Sequence, residues 1–351
     1  MAKGWRYILA KSRDLEVITT FKEIKGRTLS LDLNRSGSAG ANVPMREQKS
    51  EEIFPWSTCL IVQRDDEAIW SGPINSRSID FESGIVSFTA VGWFERLMHL
   101  QVQDLQVQYT DKDAGYIVQQ LLLLAEVQDA RVPVTMGTVE STQLRTVTYS
   151  RGQSIGQAIM DLVELEAGFD WEIDPVTRKF NIFAKKAVDR PDCKWIFAFD
   201  EDTGKPSTQN NLKSVTEEID GNIVNDIRPT GASGQVTGIT DVTSQDEYGV
   251  FQESPTMPNI VNTNILVAYG QAELAFRSEP QVSYTMTPKS SASRTVPRLG
   301  KDFDIGDITY LTVRRSWVQA IDMPQRIFGA SLSISDVGDI ETLTNLQTRA
   351  S

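Results

Sequence analysis

Short runs in which apolar and polar residues alternate, broken by turns at a spacing of about 8–12 residues, dominate the first third of the chain and limit its fold most. Trp5, Tyr7 and Leu9 alternate with Arg6 and Ile8, and Leu29, Leu31 and Leu33 with Ser30, Asp32 and Asn34. A side-chain period of two is that of a strand with one buried face. Asn34 to Gly40 interrupts with turn residues, and Cys59 to Val62 reads as a buried strand. Arg64 to Glu67 is a solvated turn, and Ala68 to Trp70 resumes a strand that Ser71, Gly72 and Pro73 end or bulge. Ile85 to Val91 follows, which makes about six strands in ninety residues and suggests an antiparallel barrel or sandwich.

The middle changes period. Asp111 is placed to cap a helix with apolar positions Ala114, Ile117, Val118, Leu121, Leu122 and Ala125. A second helix carries Ile155, Ala158, Ile159, Leu162 and Val163 on one face, with Gly168 expected at its C′ position. A hairpin follows, Phe169 to Ile173 turning through Asp174 to Arg178 into Lys179 to Phe183. Strand patterns return from Trp195. Residues 230–258 are rich in Gly, Ser, Thr, Gln and Asp, with little periodicity. A third helix is expected over 264–277 with Ile265, Ala268, Tyr269, Ala272 and Phe276 on one face, then a Ser/Pro/Gly loop over 289–300. Strands at 308–313, 326–335 and 340–343 end the chain. The expected fold is β-rich α+β.

Residue counts exclude much chemistry. Among 351 residues there is one histidine, His99, and there are two cysteines, Cys59 and Cys193, separated by 134 positions with no CxxC. A zinc site wants about four clustered ligands. His99 lies in a short turn or helix and reads as a core or surface residue, not a catalytic base. Both cysteines read as free thiols. Asp302 to Asp307 resembles a calcium loop, but counting from Asp302 puts Val313 where an EF-hand needs its bidentate Glu, so it reads as a turn into a strand. Asp200, Glu201 and Asp202 read as solvated, not as a catalytic acid pair. The chain has seven tryptophans. Trp5, Trp70, Trp93 and Trp171 fall in core-like runs, whereas Trp56 sits in a looser context suited to a corner or an interface. No cofactor or metal site is expected.

The net charge is −12, which argues against a basic groove for phosphate. Residues 1–35 run the other way, with eight Lys+Arg against four Asp+Glu. The longest apolar run, Tyr116 to Val127, is broken by Gln119, Gln120 and Glu126 and is too short for a membrane span. Charges at Lys3, Arg6, Lys11 and Arg13 make the first twenty residues read as mature protein.

Read in order, the segments resemble the minor tail proteins of long-tailed actinobacteriophages, in the tail-hub (baseplate hub) family. The resemblance lies in Gly4 to Leu9, Asn34 to Ser38 with Asn42 to Pro44, Ile53 to Thr58, Ile69 to Ile74, Gly152 to Ile155, Ala167 to Ile173, Asn222 to Ile227 and Phe303 to Ile308. It implies two small β-barrels per subunit: residues 1–100 as the first and 195–230 with 300–351 as the second. Residues 101–194 would be an α+β domain with the helix–hairpin unit, and 231–299 an insertion with a long loop and one helix. It further implies a homotrimeric ring at the tail tip of the virion, made in the host cytoplasm. That ring would join the six-fold tail tube to the three-fold tip and line the channel through which DNA passes without specific binding. The implied partners are the distal tail or tail tube protein, the tape measure protein and other tail-tip or receptor-binding proteins. Some relatives carry a C-terminal peptidase or muramidase domain, for which the chain, stopping at Ser351, is expected to have no room. The alternative is a tip protein with cell-wall hydrolase or carbohydrate-binding activity. On the hub reading residues 231–258 form an arm that orders against a partner, with Tyr248 and Phe251 as anchors; the alternative is a hairpin packed on its own subunit. Trp56, Tyr248 and Phe251 are thus the candidate partner-interface residues.

Overall fold

The structure is a computed structural model that describes residues 4–131, 134–165, 168–186, 196–200, 210–258, 260, 263–289, 298–315, 318–336 and 340–350. Cys193, Trp195, Ala167 and the 201–202 part of the acidic run, all singled out above, lie outside the described residues.

Seven strands build the N-terminal region: β1 (Trp5–Lys11), β2 (Val17–Thr20), β3 (Lys25–Asp32), β4 (Ser38–Pro44), β5 (Thr58–Arg64), β6 (Glu67–Asp80) and β7 (Ile85–Val91). Ser38, Ala39 and Gly40, expected in a turn, already belong to β4. The strand expected to end or bulge at Ser71-Gly72-Pro73 runs on to Asp80, pairing first with β5 and then with β7, and its register shifts between Ile74 and Ser76. Gly72 permits this crossing, because a Cβ there would lie 1.8 Å from the Val91 carbonyl oxygen.

The middle unit contains α1 (Phe94–Met98), β8 (Gln106–Asp113), α2 (Ala114–Gln128), β9 (Thr135–Val139), β10 (Leu144–Ser150), α3 (Ile155–Val163), β11 (Asp170–Ile173) and β12 (Lys179–Phe183). The cap of α2 is Asp113, whose carboxylate accepts from the Gly115 amide at 2.8 Å; Asp111 belongs to β8. Ser154 caps α3. Gly168 is not its C′ residue: Glu164 ends the helix, and Gly168 instead lies against the Val163 carbonyl, 1.9 Å from where a Cβ would stand. β11 and β12 pair as expected, and β9 joins β12 in parallel. Phe94, Trp171 and Phe180 stack in the core, with centroids 4.4 and 5.1 Å apart.

The rest of the chain comprises β13 (Ile196–Asp200) and β14 (Leu212–Asp220), then short strands β15 (Asp226–Ile227), β16 (Thr230–Gly231), β17 (Gly234–Gln235) and β18 (Ile239–Thr240). There follow α4 (Val242–Tyr248), β19 (Gln252–Glu253), β20 (Thr256–Met257), α5 (Thr263–Arg277), β21 (Gln281–Pro288), β22 (Ile308–Arg315), β23 (Val318–Ile334) and β24 (Glu341–Ala350). β21 falls inside the stretch read as insertion, yet it pairs with β14 and β24. The helix at 263–277 forms, but its buried residues are Leu266, Gly270 and Leu274; of the expected face, Ile265 and Tyr269 are partly buried against the core clusters and Phe276 is exposed. Gly270 sets this orientation: a Cβ there would stand 2.5 Å from Ile239 Cδ1, so the bare backbone packs on β18.

One sheet unites the two β regions. Its order is β14-β21-β24-β23-β3-β4-β7-β6-β5-β1-β2, with β22 also on β23 and β13 beyond β22. β23 is the bridge, pairing with β22, β24 and β3. Pro324, which has no N–H, falls where β23 pairs only with β22. A single apolar cluster follows the sheet across both regions, from Trp5 and Leu29 to Phe197, Leu332 and Leu346. A second cluster fills the middle unit.

Candidate functional site

The three parts of the chain meet at Asp170, the first residue of β11. Asn34, in the turn after β3, adopts φ 58, a left-handed conformation that Asn tolerates. Its amide donates to Asp170 Oδ1 at 2.9 Å, and its Oδ1 accepts from the Trp171 amide at 2.9 Å. The Arg326 guanidinium, from β23, pairs with Asp170 Oδ2, which also accepts from the Lys186 amide at 2.6 Å. Arg326 further donates to the carbonyls of Lys186 and Gly306. N-terminal sheet, middle unit and C-terminal sheet are thus tied at one buried carboxylate.

A second tie lies nearby. Arg64 is buried, donating to both Glu341 oxygens at 3.2 and 3.3 Å and to the Leu299 carbonyl at 2.5 Å, and its guanidinium lies over Trp5. The Ser71 hydroxyl donates to the Pro175 carbonyl and accepts from Trp93 Nε1 at 2.8 Å, fixing the hairpin turn to β6.

Between these ties lies a cleft of about 390 Å³. Its wall carries four cations (Arg35, Arg64, Lys186, Lys301) and six carboxylates (Asp32, Asp65, Glu67, Glu172, Asp174, Asp304), so it does not select for phosphate. Burial raises the Asp32 carboxyl. Burial pushes the Lys186 ammonium down, but Asp304 and Glu172 outweigh it and the net shift is upward. The tryptophans lining the cleft, Trp70, Trp93 and Trp171, are buried, with Trp171 stacked between Phe94 and Phe180.

Among the described residues, the histidine and the cysteine stand apart from the cleft. His99 ends α1 on the surface, edge-on to Trp56 at 5.2 Å, and does not line the cleft. Cys59 is buried, and burial pushes its thiol up to about 12. Asp302 and Asp307 accept from the Arg298 and Asp304 amides within their own turn. Among the described residues no group of three or more His, Cys, Asp or Glu could hold a metal ion, and no helix is long and apolar enough to cross a membrane.

The candidate interface residues lie on two separate elements. Trp56 is half-buried before β5, has φ 63, and donates its amide to the Ile74 carbonyl at 2.7 Å. A positive φ in a bulky residue is strained and persists only where its surroundings enforce it. Tyr248 ends α4, and Phe251 follows three residues later at 43% exposure. The segment between Thr230 and Pro258, read as a long loop, is folded around a residue that sequence reasoning missed. Asn225 is fully buried: its side chain donates to Ser244 Oγ and to the Gly249 carbonyl, and accepts from the Phe251 amide at 2.8 Å.

A continuous sheet shared by two β regions, with α+β units attached, defines a β-rich α+β fold of the kind found in phage tail proteins. Solved structures of this fold include the tail protein from Neisseria meningitidis MC58, at TM-score 0.67 and 11% identity over 99% of this chain and 97% of that one. They also include the 43 kDa tail protein of prophage MuSo2 from Shewanella oneidensis, at 0.61 and 12% over 97% and 98%. A third is the prophage tail protein gp18 from Listeria monocytogenes EGD-e, at 0.54 and 12% over 97% and 94%. At such identities the likeness is one of fold. No family model and no curated protein matches the sequence.

Proposed function

We propose that the chain is a structural component of a phage tail tip, a hub ring of three copies joining a six-fold tube to a three-fold tip. The observation that carries this reading is the end-to-end match in fold, over 99% of the chain, to a tail protein. In this reading residues 1–100 form one barrel of the ring, and 195–230 with 300–351, joined by β21, form the other. The pairing of β3 with β23 supports reading the two β regions of a subunit as one unit. Three such units, each contributing two barrels, present six-fold symmetry on one side and three-fold on the other. The long-tailed actinobacteriophage type, the tube and tape measure partners and the virion location belong to the same proposal.

The role is read as non-enzymatic, supported by an exposed lone histidine and a buried, protonated thiol. Trp56, Tyr248 and Phe251 are proposed as contacts to neighbours. The channel wall is proposed to be acidic or neutral, since each lysine or arginine on phosphate would add salt-dependent affinity. Arg27 cannot ring a pore, because it is buried and donates to the Ser335 carbonyl. A reconstruction of the tail tip tests the reading: three copies around the channel support it, and six copies or one refute it. Robust peptidoglycan hydrolysis by the purified protein would overturn the non-enzymatic role.

A further inference from the structure

Residues 221–280 form a body held to the large sheet by only two chain crossings. β14 and β21 pair up to Asp220 and Gln281, beyond which Gly221 on one crossing has open space around the position of a Cβ. The body has a small core of its own, Val224, Ile227 and Leu274. Its other contact is a seam with the middle unit, where Ile260 and Leu266 enter the second apolar cluster.

The seam is not filled. A cavity of about 230 Å³ separates α3 and β10 on one side from Pro255–Pro258, Ile260 and Tyr269 on the other. Two carboxyls of the α3 region, Asp161 and Glu164, line it. Asp161 is held by the amides of Gln157 and Gln153, at 2.9 and 3.2 Å. Two more carboxylates face the seam from the body itself, Glu253 and Glu273, but Arg277 pairs with both, at 2.8 and 3.4 Å. From the N-terminal region Arg35 attracts Glu164.

We propose that this seam is a proton-controlled latch: the 221–280 body closes on α3 when Asp161 and Glu164 are protonated and loosens on its two-stranded stalk when both are ionised. The physical basis is that two carboxylates at one cavity repel each other, and that Asp161, the more buried of the two, loses hydration when the body docks, while Glu164 acts mainly through its charge. Burial raises both carboxyls; for Glu164 the charges of Asp161 and Glu273 add to burial, and Arg35 opposes it without cancelling it. The two tyrosines at the cavity stay neutral throughout, since burial pushes Tyr269 up to about 12 and Tyr149 well above its ordinary value. The sign follows from linkage. A carboxyl raised in the docked form favours docking below the ordinary carboxylate range, and that contribution is lost as pH rises through the raised values. The window therefore opens just above the ordinary range. An amide in place of either carboxyl, asparagine at 161 or glutamine at 164, carries no charge at any of these pH values, so the variants below mimic the protonated state.

Hydrogen exchange on the full chain tests this, with rates corrected for intrinsic pH dependence. Between about pH 5 and pH 8, protection of the α5 amides should fall about 3–10-fold in the natural sequence, while the α2 amides stay constant. In the D161N/E164Q variant α5 should keep the higher protection at both values. E164Q alone, at an exposed position that folding tolerates, should remove part of the dependence. Equal α5 protection at both pH values in the natural sequence would overturn the latch, as would a pH dependence that survives in E164Q and the double variant alike. Neither outcome depends on how many copies assemble in a tail.

Discussion

At the scale of single residues, burial and contact decide behaviour that residue type leaves open. Cys59 illustrates this: its thiol lies among Ala10, Trp93 and the rest of the middle cluster, and burial holds it protonated. Thiolate is the reactive form, so a thiol reagent at about pH 8 should leave Cys59 unlabelled in native protein and label it after denaturation. Peptide mapping of the labelled sites checks this, and rapid native labelling would show that the β1–β5 region opens. Asp170 matters for a different reason. Replacing it with Ala would leave Arg326 buried without its carboxylate, a change that costs about 3–5 kcal/mol in buried pairs. Chemical denaturation should show a loss of that order; a loss under about 1 kcal/mol would mean that the three-part junction contributes little to stability.

At the scale of elements, the small body at 221–280 depends on one amide and one helix face. Asn225→Ala would strip partners from the Phe251 amide and the Gly249 carbonyl, while the Ser244 hydroxyl keeps its bond to the Ser278 carbonyl. Each such hydrogen bond lost costs about 0.5–1.5 kcal/mol. Limited proteolysis should then cut at 241–258 well before the 170–183 hairpin. Leu266→Ala removes a fully buried side chain at the seam and should cost about 2–5 kcal/mol, against almost nothing for Phe276→Ala on the exposed face. A reversed order of these two effects, measured by thermal unfolding, would place the buried face of α5 where its side-chain sequence first suggests. The same proteolysis in intact tails checks Tyr248 and Phe251 as contacts: protection there that is absent in the free chain supports them.

For the whole molecule, the sheet bridged by β23 implies that the two β regions unfold together. Gly329 lies in that bridge, and a Cβ there would meet the ends of two side chains, Asp32 Oδ1 at 2.6 Å and Gln347 Oε1 at 3.3 Å, so a branched residue would have to displace both. Gly329→Val should therefore weaken the β3–β23 seam, and a calorimetric scan should split one transition into two. A single unsplit transition at an unchanged temperature would count against β23 as the coupling element. Two edges of the sheet are short or charged: β2 has four residues, and β14 ends in Glu217, Glu218, Ile219 and Asp220. Such edges disfavour uncontrolled strand addition.

Strands with one buried face and helices with a long apolar stripe were legible in the sequence, because both encode burial as a local period. β1, β3, β5, β7, α2, α3 and the β11–β12 hairpin fall where Trp5 to Leu9, Leu29 to Leu33 and the other alternations placed them. Residues Val282, Tyr284 and Met286 carried the same period-two signal for β21, and attention to it would have found that strand. Other features have no local signature. Whether α5 buries Phe276 or Gly270 depends on Ile239 and Ile227 lying beneath it, and glycine on a packed face looks like a gap in any apolar pattern. The junction joins Asn34, Asp170 and Arg326, residues more than a hundred positions apart in the chain, and a polar residue's worth there depends on partners that only folding brings within hydrogen-bond reach.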